Sequence, residues 1–186
     1  MGNHLSSFLD LLDGPSPPRL PPGLPAPTPV TVTGIRFPAD GTKPHLLPLT
    51  TTTVNDGFDC FWGHVPDLRG FWKAKRSWKL RDVETFKLEN QPVEGCNGLY
   101  ALFYSFDLHR LPENRNFPEA VYGRERCFAG DAFVVKLKGN ELESAVGEDG
   151  WAVWEDVPPD ILTLPVMKMG SSRVEVLRDR YKTRVF

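Results

Sequence analysis

The chain has 186 residues, 40% of them hydrophobic, and a formal net charge of −2. That length suits one domain with a sizeable core, and the charge balance points to neither nucleic acid nor a membrane surface. No apolar run approaches the roughly 20 residues of a membrane span, no secretory signal is read, and Cys60, Cys96 and Cys127 lack the paired spacing of a disulfide framework, which fits a reducing compartment.

The first six residues, Met-Gly-Asn-His-Leu-Ser, match the pattern for N-myristoylation at Gly2. Leu5, Phe8, Leu9 and Leu12 then share one helical face that stops at Gly14, a short helix suited to a membrane or a partner. Residues 15–29 contain eight prolines. Such a segment lacks both amide donors and apolar bulk, so residues 1–29 are expected to be a disordered, Pro-rich tail. Within it, Arg19, Pro22 and Pro25 place a basic residue before a P-x-x-P at the spacing that SH3 grooves accept. A plain linker is the alternative.

A single compact domain is expected over residues 30–186. Residues 30–37 alternate and are rich in β-branched side chains, which predicts a strand. A turn at residues 39–41 and a second strand over 46–54 complete a hairpin. Asn55-Asp56-Gly57 is another turn, followed by the aromatic run 58–62. Residues 69–81 hold six basic residues, three aromatics and no acid. Their alternation predicts a strand with one basic face: Lys73, Lys75, Arg76, Lys79 and Arg81. That face suits RNA or acidic lipid through charge and stacking. The acidic stretch 141–160, with no Lys or Arg, is an internal alternative partner.

Leu99, Leu102, Phe103 and Phe106 fall at i, i+3, i+4 and i+7. The spacing predicts a buried helix over about 98–109, with Asn97 as its N-cap and Leu111-Pro112 as its stop. A polar loop over 112–118 follows, then a strand at 131–137 and a turn at 138–140. A short aromatic strand is predicted at 151–154, and Pro158-Pro159 breaks the chain. Two more short strands are predicted at 161–169 and 173–177. The basic stretch 178–186 receives no assignment. Strands, one main helix and strands again define an α+β domain in which the helix packs on an antiparallel sheet.

Cys96 stands where that helix would begin, which is how papain-like thiol enzymes hold a nucleophile: the helix dipole favours the thiolate. An ordinary buried core cysteine is the alternative. A thiol enzyme also needs an imidazole base in reach. His109 would sit at the far end of the same helix, about 20 Å away. An upstream base, His45 or His64, would require a permuted arrangement. Cys60 and His64 do not make up the roughly four ligands of a zinc site. There is no glycine-rich phosphate loop and no G-x-S-x-G elbow. Neither a metal nor a cofactor is expected.

The second half resembles the leader proteins at the start of picornavirus polyproteins, above all the papain-like leader peptidase of foot-and-mouth disease virus. Where that family opens an apolar helix with Asn-Cys, this chain has Cys96-Asn97, then Leu99, Ala101, Leu102 and Phe103. Leu137-Lys138-Gly139-Asn140-Glu141-Leu142 is similar to the family's Leu-Lys-Gly-x-Glu-His. Gly150-Trp151, followed by Trp154-Glu155-Asp156, is similar to its Gly-Trp and acidic cluster. The Pro-rich start resembles the leader of kobuviruses. In the best phase Asn97, not Cys96, takes the nucleophile position. Leu142, or Ser144 in a shifted alignment, replaces the histidine, while Glu155 or Asp156 takes the place of the orienting acid.

The resemblance therefore implies a papain-like leader fold with its chemistry lost. It points to a non-enzymatic viral leader that binds host or viral replication proteins in the host cytoplasm, with membrane contact through a Gly2 lipid. The alternatives are a thiol hydrolase or acyltransferase using Cys96 with His45 or His64, and a myristoylated SH3-binding adaptor.

Overall fold

The computed structural model describes residues 27–53, 64–72, 81–105, 108–117, 128–148 and 150–164. Within them the chain forms strands β1 (Thr31–Phe37), β2 (His45–Thr53), β3 (His64–Pro66), β4 (Arg81–Leu88), β5 (Gly98–Ser105), β6 (Ala132–Leu137) and β7 (Trp154–Glu155). Single 3₁₀ turns lie at Glu143–Ala145 and Pro159–Thr163. The strands join into one sheet of order β3-β2-β1-β6-β5-β4, with β7 paired to β6 and every pairing antiparallel.

The predicted helix over 98–109 is absent, and with it the papain-like α+β fold. No helix among the described residues reaches seven residues. Gly98–Ser105 is instead β5, buried at all eight positions between β4 and β6. The physical reason lies between the four spaced apolar residues. Tyr100, Ala101 and Tyr104 are apolar or aromatic too, so the run has no polar face for a helix to turn to water. A central strand buries both sets. Leu99, Ala101 and Phe103 enter one core, and Tyr100, Leu102 and Tyr104 enter another on the opposite face. At about 1.5–3 kcal/mol per large apolar side chain, burying both sets outweighs burying one.

The same alternation runs through β6, where Phe133, Val135 and Leu137 face the first core and Ala132 and Val134 the second. Residues 64–72 and 142–152 cover the first core with Val65, Leu68, Trp72 and Ala145. Cys96, Phe117, Phe128, Val157 and Ile161 cover the second.

The β1–β2 hairpin forms as expected, with Thr31 opposite Thr50 and Arg36 opposite His45. β6 lies beside β1 only over Ala132–Val134, and from Lys136 onward its partner is β7. β7 therefore enters the gap where β1 and β6 part. Thr33 holds the other side of that wedge: its N–H donates to Asp156 Oδ1 at 2.7 Å, and its carbonyl accepts from the Val157 N–H at 3.0 Å. Gly34 sits at the split, where a Cβ would meet Leu49 Cδ1 at 2.7 Å and the Val134 carbonyl oxygen at 3.2 Å.

Two further expectations change. The strand predicted at 151–154 shrinks to Trp154–Glu155, while Ala152 makes an isolated bridge to Val146. Residues 161–163, predicted as strand, belong to the 3₁₀ turn; with Pro158-Pro159 ahead of them, proline at the first helical positions starts a tight turn rather than a ladder. Val54 and residues 55–62, 73–80, 165–169 and 173–186 lie outside the described residues, as do residues 1–26.

Candidate functional site

Cys96, Asn97 and Glu155, three of the positions singled out in the sequence, meet at one end of the sheet, where β4 ends and β5 begins. The loop between them, residues 89–97, is fixed by its own polar groups. Asn90 adopts φ 55, the left-handed conformation that asparagine tolerates. The Gln91 N–H donates to Asn97 Oδ1 at 2.8 Å. The Cys96 N–H donates to the Val93 carbonyl at 3.2 Å, and the Tyr100 hydroxyl donates to the Cys96 carbonyl at 2.9 Å. Cys96 is thereby held with 0% of its surface exposed, in the second core.

Its thiol is pushed up from the ordinary range. Burial is the main cause and the Asp160 carboxylate adds to it, while Lys136 acts in the opposite sense. Among the described residues no helix N-terminus stands behind Cys96 to favour the thiolate, and no imidazole contributes to its charge environment.

Lys136 organises this side of the sheet. Its Nζ donates to the Gly95 carbonyl at 3.0 Å and lies 3.5 Å from Glu155 Oε2. Glu155 is therefore paired with a lysine rather than aimed at a ring nitrogen. Asp156 accepts from the Thr33 amide and closes the β7 wedge. Asn97 is spent on the loop.

Leu142 packs against the first core, so the sheet separates it from Cys96. The turn before it is shaped by Gly139 at φ 79, where a Cβ would lie 2.3 Å from Ser144 Oγ. That hydroxyl donates to the Glu141 carbonyl at 2.8 Å. On the first-core side Lys87 is clamped between Glu141 and Glu89, and the hydrogen bonds it donates to both carboxylates hold its ammonium well above the usual lysine range. Neither lysine stood out in the sequence. The one available signal was that Lys87 and Lys136 each lie one residue from the end of a strand, beside acidic loops.

The structure does not bring Cys96 together with His45, His64 or His109. His45 opens β2 and is exposed, with Nδ1 3.3 Å from the Lys43 carbonyl. The register places it level with Phe103, three strands across from β5 and five residues beyond Gly98. Those steps amount to about 14 Å across and about 17 Å along the sheet. His64 is buried in β3, four strands from β5. Its Nδ1 lies 3.4 Å from Thr53 Oγ1, its ring makes an edge contact with Trp151, and its carbonyl accepts from Trp154 Nε1 at 2.9 Å. His109 lies exposed in the turn after β5.

Sequence reading also passed over a polar cluster at the opposite end of the sheet. Asp131 is buried; its Oδ2 accepts from Arg36 Nε at 2.8 Å and its Oδ1 from the Ala39 amide at 2.8 Å. Arg36 also lies over the Phe71 ring, and Asp131 offers its carbonyl to Trp72 Nε1. Buried Asn114 donates to the Phe37 and Gly130 carbonyls. These bonds tie β1, β6 and two loops together, an architectural role.

Gly2, the Arg19-Pro22-Pro25 motif and the basic residues Lys73, Lys75, Arg76 and Lys79 lie outside the described residues. Arg81 opens β4. Among the described residues no group of three or more His, Cys, Asp or Glu is placed to hold a metal, and no helix is long and apolar enough to cross a membrane. No family model, curated protein or solved structure matches this chain.

Proposed function

We propose that this chain acts by binding other proteins rather than by catalysis. The observation that carries the reading is the state of Cys96: buried, shifted toward the protonated thiol, and under the influence of the Asp160 and Lys136 charges rather than of an imidazole. A thiol enzyme needs the opposite arrangement, with a thiolate favoured at rest and an imidazole to return the proton to the leaving group. The residues matched to the leader peptidase site support the same reading. Asn97 holds its own loop, Glu155 is paired with Lys136, Asp156 accepts from the Thr33 amide, and Leu142 packs on the other face.

The resemblance to picornavirus leaders extends the proposal to its partners: host or viral replication proteins in the host cytoplasm. It enters through Leu137-Lys138-Gly139, Gly150-Trp151 and the Pro-rich start, without the papain-like fold. The test has two arms. Peptide cleavage and self-processing are measured for the wild type and Cys96→Ala, and no turnover is expected from either. Proteins captured from infected or transfected cells are then compared between the same two chains, and an unchanged set is expected. Turnover lost in Cys96→Ala would overturn the proposal.

A further inference from the structure

We draw no further inference here: the strongest candidate, the acidic loops after β4, β6 and β7 with Glu94, Glu143, Glu148 and Asp160, has no second feature among the described residues that points to a ligand.

Discussion

Cys96 shows how one side chain changes meaning with its backbone. In the sequence it precedes an apolar run and reads as the start of a helix. In the fold it precedes a central strand and seals a core. Its alkylation in the native chain should be slow, about tenfold or more below that in denaturant, because exposure requires opening of the loop. Iodoacetamide labelling followed by mass spectrometry checks this in a Cys60→Ser, Cys127→Ser background. Since the folded thiol titrates above the unfolded one, the stability it lends is complete below the unfolded value, about 8.5, and is lost as pH rises through the folded value.

The acid limb has the opposite sign. Asp40 is held below its ordinary range by hydrogen bonds from the Thr42 hydroxyl and amide, and Asp67 by Arg69. What they contribute is present above about pH 3.9 and lost as pH falls through their folded values. Thermal midpoints recorded from pH 7 to pH 2 should therefore drop in the most acid range, and less steeply in an Asp40→Ala, Asp67→Ala double variant. Asn114 matters for stability rather than titration. Asn114→Ala leaves two carbonyls without their donor and should cost about 2–3 kcal/mol in urea denaturation.

Among the elements, the β1–β2 hairpin and β6 were legible because residues 30–37 alternate, β-branched residues mark all three strands, and Asp40-Gly41 marks the turn. β5 was not. An eight-residue run that is apolar throughout satisfies the helical period by default, and only its neighbours β4 and β6 decide the matter. The two assignments predict different mutational patterns. A helix with one apolar face would tolerate Tyr100→Ala far better than Leu99→Ala. The strand buries both, so each substitution should cost about 2–5 kcal/mol in denaturant unfolding. The turn after β6 was placed correctly, but its rigidity depends on a contact with no sequence signature, Gly139 against Ser144. Gly139→Ala introduces both a positive-φ penalty and a clash, and should lower stability by about 1–3 kcal/mol, with partial recovery in Gly139→Ala, Ser144→Ala. The candidate site was legible only as a neighbourhood. Gly95–Gly98, Lys136–Glu141 and Glu155 do meet at one sheet end, yet the lysines that hold them there are long side chains whose reach no periodicity reports.

At the scale of the whole molecule, the described residues form a single sheet with a core on each face in place of the layered helix-and-sheet plan. Composition bounded this outcome without choosing it, since the same apolar content serves either architecture. The β7 wedge carries a further consequence, for the order of events in time. Thr33 and Asp156 are separated by 123 positions along the chain, yet they meet inside the sheet. Ile35 and Val134, almost a hundred positions apart, are direct partners. A ribosome must therefore release nearly the whole described chain before β1 finds its final neighbours, and until then β5 emerges with two oily sides and one finished edge. Refolding dominated by such distant pairings belongs on the millisecond-to-second scale, measurable by stopped-flow tryptophan fluorescence. A chain stopped near residue 150, lacking the wedge, should collect in aggregates rather than in the soluble fraction.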